Sequence, residues 1–195
     1  MSPDFVQEPP ELHNQYDRDR VLKSYVRRQF PESVLKTIEP ELSDLGEKAG
    51  GELYDLQKKD IGKEPTLTRW GPWGDRVDQI EVTNVWKRAE QLAAERGIVA
   101  TAYEQEHGAH SRVHQMLLAY LFIPSTDMYG CPLAMTDGAA HTLLDSGNEA
   151  LADEAVPHLT SRDPETFWTS GQWMTELSGG SDVGRAHTTA RQDDD

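Results

Sequence analysis

This chain is short of cysteine, of positive charge and of long apolar runs, and each shortage closes off a class of protein. Its 195 residues include 1 Cys, so no intramolecular disulfide can form, and a structural zinc site would rest mainly on His. Cys131 precedes Pro132 in an apolar stretch and is expected to be a buried, inert thiol. Lys and Arg number 19 against 34 Asp and Glu, a net charge of −15. Such a surface repels phosphate backbones and anionic lipid, so neither nucleic acid nor a membrane is an expected partner. The longest apolar run, 116–124, is far below the roughly 18 residues of a membrane span. Residues 1–5 lack the basic and apolar regions of a signal peptide, which with the single Cys points to a cytoplasmic setting. There is no Walker loop, no Rossmann glycine fingerprint and no nucleophile-elbow serine. The hydrophobic fraction is 36% and the mean hydropathy −0.69, so the core has to draw on 5 Trp, 6 Tyr and 4 Phe.

The apolar residues that are present recur at helical steps. Residues 1–16 read as an extended N-terminal arm, with Pro9 and Pro10 each lacking a backbone donor and Phe5 and Val6 placed to pin it down. Val21, Leu22, Tyr25, Val26 and Phe30 predict a helix over 17–30, which Pro31 ends or follows with another. Pro40 suits the first turn of a long helix whose stripe is Leu42, Leu45, Ala49, Leu53 and Leu56. Gly50 and Gly51 inside it cost roughly 1–2 kcal/mol against alanine, which is tolerable if another backbone packs closely there. Residues 61–82, punctuated by Gly62, Pro65, Gly71, Pro72 and Gly74, read as a loop, with Trp70 and Trp73 plugging a helix end. Thr83 caps a helix that runs to Gly97, and helical pattern resumes near Val99 and over 110–122. Residues 125–137 read as a loop ending in a Thr136/Asp137 cap, followed by helices through Leu143 and Leu144 and from Asn148 to His158. After Asp163 and Pro164 the segments 166–169, 173–175 and 186–190 favour strand. The fold class is mainly α, with the beginning of something β.

Two constellations could carry chemistry. His107, His110 and His114 share one helix face at i, i+3 and i+7, and the last two could reach one metal. No Cys or acidic cluster completes such a site, so a polar surface face, with Glu106 and His110 paired, is the expectation. The second is Gln172, Trp173, Met174 and Thr175 leading through Glu176, Leu177 and Ser178 into Gly179, Gly180, Ser181, Asp182 and Val183. Two adjacent glycines let backbone N–H groups approach an anion such as a diphosphate. Ser181 adds a hydroxyl, and Thr175 with Met174 suits the edge and face of a flat heterocycle. On spacing alone, a plain surface turn is the simpler reading.

The run 173–183 resembles the MTE-x-x-GGSDV flavin loop of acyl-CoA dehydrogenases, in their AidB-like (adaptive-response) branch. Residues 131–136 resemble that branch's CP-x-x-MT segment, and Pro9, Pro10, Glu11 and Leu12 with Asn14, Gln15 and Tyr16 resemble its N-terminal arm. The resemblance implies an acyl-CoA dehydrogenase-like N-terminal helical domain over 1–164, including the arm 1–16. It implies the first strands of an incomplete middle β domain over 165–195. It also implies FAD contacts at Gln172, Trp173, Met174, Thr175, Gly180 and Ser181, with Ser181 also near the acyl-CoA thioester. Leu177 and Ser178 depart from the Pro-Gly of many members, and Trp173 replaces a smaller residue. Family members are about twice this long, and their catalytic carboxylate lies C-terminal to this portion. The chain is therefore expected to be an inactive N-terminal fragment with no catalytic residue of its own and no metal. The implied reaction is α,β-dehydrogenation of an acyl-CoA with hydride transfer to FAD, in a homo-oligomer served by an electron acceptor. The alternatives are a flavin-containing protein of the DNA-alkylation response and a cofactor-free helical interaction module.

Overall fold

The computed structural model describes residues 7, 8 and 10–191. The pinning expected of Phe5 and Val6 lies outside these residues. Where one helix was expected over 17–30 there are two, α1 (Gln15–Arg18) and α2 (Arg20–Gln29). Asp19 makes the break: its carboxylate accepts the Val21 and Leu22 amides at 2.9 and 2.8 Å as the N-cap of α2. Asn14 caps α1 in the same way, accepting from the Tyr16 and Asp17 amides at 3.0 Å.

α3 (Glu32–Lys48) starts after Pro31 and carries Pro40 inside it, not at its first turn. Burial decides this. Ile38 is fully buried with Leu42 and Leu45, so the apolar stripe extends back past the proline, whose missing N–H falls on the exposed side. The rod continues through a π-helical stretch, Ala49–Leu53, into α4 (Tyr54–Asp60). The close backbone expected at the glycine pair is the chain's own arm. A Cβ at Gly50 would overlap the His13 carbonyl oxygen, whereas one at Gly51 would meet nothing within 4 Å. Gly46 makes a second such contact, where a Cβ would come within 2.6 Å of the Tyr16 amide nitrogen.

The expected loop over 61–82 is a β-hairpin instead, β1 (Thr66–Trp70) and β2 (Arg76–Glu81), antiparallel with Leu67 opposite Ile80. Its glycines and prolines occupy only the turn, where Gly71 N–H donates to the Asp75 carbonyl at 2.8 Å, and β-forming Thr66, Thr68 and Trp70 build the arm. Trp70 and Trp73 are not plugs: they stand 60% and 94% exposed. Buried Asp60 closes the hairpin's base, accepting from Lys63 Nζ at 2.6 Å and the Val85 amide at 2.9 Å. Those bonds hold its carboxyl down at about 2.

The remaining helices are α5 (Asn84–Glu95), α6 (Ala100–Glu104), α7 (Ser111–Phe122), α8 (Gly130–Asp145) and α9 (Glu149–Leu159). Thr83 caps α5 as expected, and Asn148 caps α9, which runs one residue later at each end than the expected 148–158. α8 begins earlier than the expected cap at Thr136/Asp137. Pro132 lies in its first turn, where no intrahelical N–H bond is lost, and Thr136 lies fully buried well inside it. The core gathers Ile38, Leu42, Leu92, Leu118, Phe122 and Tyr129 from α3, α5, α7 and the turn before α8. Past α9 no strand ladder forms among the described residues; the one pairing is an isolated bridge between Glu176 and Gly179. The strand formers at 166–169, 173–175 and 186–190 have no partner strand, and an unpartnered strand does not hold in water.

The arm contact yields a paired prediction. Gly50→Ala should destabilise the chain by about 1–3 kcal/mol, because a carbonyl must move away from the new methyl. Gly51→Ala should be neutral or stabilising by up to about 1 kcal/mol. Urea unfolding of the two variants measures the difference, and equal effects would show that the arm is not seated on Gly50.

Candidate functional site

The segment between α9 and the glycine-rich turn is held by the helices from several sides. Arg162 grips Glu104 through two bonds of 2.7 Å and lies over Gly97, where a Cβ would come within 2.5 Å of its guanidinium carbon. Gly97 has φ +57, so a bare Cα is needed there twice over. Phe167 packs against the core. The Trp168 ring stacks on His158 with centroids 4.0 Å apart and planes 10° apart. The Ser170 amide donates to Thr136 Oγ1 at 2.9 Å.

Beyond Ser170 the chain leaves the body. Trp173 is 95% exposed, and Met174 and Leu177 are also exposed. The turn closes on itself: the Gly179 amide donates to the Glu176 carbonyl at 3.0 Å. The left-handed backbone falls on Gly179, at φ +122, and not on Gly180. Gly180 is bare for another reason, since a Cβ there would meet Thr175 Oγ1 at 2.5 Å. Thr175 and Gly180 are thus brought together, with Ser181 next in the chain. The Glu176 carboxylate accepts from the His187 and Thr188 amides, both at 2.8 Å. Those backbone bonds and the Thr188 hydroxyl bond hold its carboxyl below the usual glutamate range. Glu176 therefore shapes the loop and is not free to act as a base.

Residues 7–165 match the family described as the adaptive response protein AidB N-terminal domain. The chain belongs to that family. It is 42% identical over 183 residues to acyl-CoA dehydrogenase family member 11 of Caenorhabditis elegans, covering 92% of this chain and 30% of the relative. The apo-form of Bd2924 superposes with a TM-score of 0.86 at 45% identity, covering 92% of this chain and 36% of that one. Caenorhabditis elegans ACDH-11 in complex with C11-CoA gives 0.84 at 41% identity, covering 94% and 32%. The chain spans about a third of the length of the relatives it matches.

Within this AidB-type domain the three histidines do not form a surface face. The chain bends at Gly108, φ +53, and α7 starts only at Ser111. His114 is buried at 4% exposure, its Nε2 3.0 Å from Glu41 Oε2 but poorly aligned for a hydrogen bond. Burial pushes the Glu41 carboxyl up, but the His114 contact and the Arg162 and Arg96 guanidiniums more than offset it and leave the carboxyl low. His110 packs its ring 5.4 Å from that of Phe30. Among the described residues no group of three or more His, Cys, Asp or Glu side chains converges as a metal site. Cys131 is exposed, not buried as expected, because the early start of α8 turns it to the outside of the first turn.

Two outcomes are expected. His114→Ala should cost about 1–3 kcal/mol, since it strips a half-buried carboxylate of a partner, while His110→Gln should stay within about 0.5 kcal/mol. Equal costs in thermal unfolding would refute the buried placement of His114. The Glu176 loop should be sensitive to acid. A carboxyl held low in the folded state stabilises it above the ordinary glutamate pKa, and the effect fades as pH falls through the lowered folded value. Exchange protection at the His187 and Thr188 amides should follow that course, and in Glu176→Gln, which keeps one acceptor oxygen of the two, it should fall and no longer depend on pH. Protection that does not fall as the pH is lowered would contradict it.

Proposed function

We propose that this chain supplies the helical N-terminal body and one wall of the flavin site of an acyl-CoA dehydrogenase-like flavoprotein, with 172–181 as its FAD-contacting span. The observation that carries the reading is the packing of the Thr175 side chain onto the bare Gly180 Cα beside the φ +122 turn at Gly179. Among the described residues no hydrogen bond uses the Gly180 or Ser181 amide or the Thr175 hydroxyl. A flat ring with an anionic tail fits that set: amides for the anion, a hydroxyl for the ring edge, and the exposed Trp173 and Met174 as apolar surface.

When bound, FAD would supply the hydride acceptor for α,β-dehydrogenation. On this reading Thr175 bonds the ring edge, with Gln172, Trp173 and Met174 beside the ring. Gly180 and Ser181 face the phosphate side, and Ser181 also lies toward the acyl-CoA thioester. The C11-CoA complex of the Caenorhabditis elegans relative supports acyl-CoA as the substrate class. The base that removes the α proton, the electron acceptor's docking surface and the contacts between copies are assigned outside these residues.

Isothermal titration of FAD tests this in two chains: the 195-residue chain, and a chimera continued from residue 191 with the matching remainder of Bd2924. The short chain should bind weakly or not at all and the chimera tightly. In the chimera, Gly180→Val should abolish binding, and Thr175→Val should weaken it by roughly 1 kcal/mol. Unchanged FAD affinity in the Gly180→Val chimera would remove this loop from the site.

A further inference from the structure

We propose that Thr136 on α8 is a positioning residue for the flavin-contacting span; this rests on the function proposed above. Thr136 is fully buried, yet it is polar. Its hydroxyl donates to the Pro132 carbonyl one turn back, at 2.7 Å. With its proton committed there, the oxygen has only lone pairs left to offer. It therefore selects a donor, and that donor is the Ser170 amide at 2.9 Å.

The position of this bond gives it leverage. Among the described residues no later hydrogen bond ties 171–191 to the helices, so Ser170 is the last fixed point before the turn. Upstream, Trp168 is stacked on His158, and its amide donates to the His158 carbonyl at 3.1 Å. Residues 168 and 170 are thereby held to α9 and α8 in turn. Two extended residues span at most about 7 Å, so Gln172 cannot stray far while Ser170 is held. Releasing Ser170 would let the whole span 172–181 swing about Trp168. The 131–136 motif gains a physical role on this account. Pro132 supplies the carbonyl that orients the hydroxyl, and Thr136 supplies the acceptor.

Substitution separates positioning from packing. Thr136→Val keeps the shape and loses the acceptor, while Thr136→Ser keeps the hydroxyl and loses a methyl. In the 195-residue chain, amide exchange at Ser170 should rise about tenfold or more in Thr136→Val and stay within about twofold in Thr136→Ser. In the Bd2924 chimera the FAD dissociation constant should rise roughly tenfold in Thr136→Val and no more than about twofold in Thr136→Ser. The visible flavin absorbance band should shift in the first variant only. Should Thr136→Val fail to fold, Ser170→Pro removes the same donor without touching the helical body and should weaken FAD likewise. A wild-type chimera that binds no FAD would sink the functional reading and this inference with it. Faster Ser170 exchange with unchanged FAD affinity would leave the functional reading standing and overturn the positioning role. Equal losses in the Val and Ser variants would mark a packing effect and overturn it too.

Discussion

Extended chain with no neighbouring strand must find its hydrogen bonds somewhere else, because buried backbone donors are costly to leave unpaired. Residues 161–170 meet that constraint by borrowing from the helices. The Trp168 amide donates to the His158 carbonyl of α9 and the Ser170 amide to Thr136 of α8, while the Arg162 side chain ties the segment to Glu104 of α6. The same constraint explains Glu176, whose side chain stands in for a missing strand by accepting two successive backbone amides. Where no such loan is available, from 189 to 191, the chain is fully exposed and has no regular structure.

The acidic surplus shapes the body in a related way. With 19 cations against 34 anions, arginines sit between elements. Arg88 bridges α5 to Glu52 in the π-helical stretch, Arg96 reaches Asp44 of α3, and Arg112 of α7 meets Asp137 of α8 at 2.7 Å. Pairs this exposed contribute at most about 1 kcal/mol each, so their effect is mainly to set how elements lie against each other. The Arg112–Asp137 pair is better supported, because the Tyr103 hydroxyl also donates to Asp137 at 2.7 Å. Burial and that carboxylate push the Tyr103 hydroxyl up to about 12, so it remains a donor throughout the physiological range.

Residue patterns made the helices legible where a cap and an apolar stripe agree, as at Thr83 with Val85, Ala89 and Leu92. They misled where a single residue has two meanings. Pro40 marks a helix start when read locally, but burial of Ile38 carries α3 past it. Gly71, Pro72 and Gly74 read as a loop, yet they form only the tip of a hairpin whose strands are too short and exposed to show a buried alternation. Gly50 was legible as a close contact, but nothing local tells that the partner is His13, far away in sequence. The glycine-rich segment was legible as a turn. The reason for each glycine was not, since the roles of Gly179 and Gly180 are set by φ and by the Thr175 side chain respectively. His114 and Cys131 exchanged their expected burial because the start of a helix, which sets the phase of every residue in it, is the least legible feature of all.

The body also decides how much of the loop must be ordered when a ligand arrives. Fixing the backbone of one residue costs roughly 1–2 kcal/mol in entropy, so five free residues would take several kcal/mol from any binding event. Residues 166–170 are already held, by the partly buried Phe167 against the core, the Trp168 stack and the Thr136 hydroxyl, and that cost belongs to folding of the helices. What remains is the surface of Trp173, Met174 and Leu177, which is exposed and therefore still available to reward contact. The helical body thus orders the approach to the loop while leaving the loop's apolar face open. On the proposed function, the pre-ordered stretch would lower the entropic cost of binding, and the exposed face would keep its hydrophobic gain for whatever surface completes the wall.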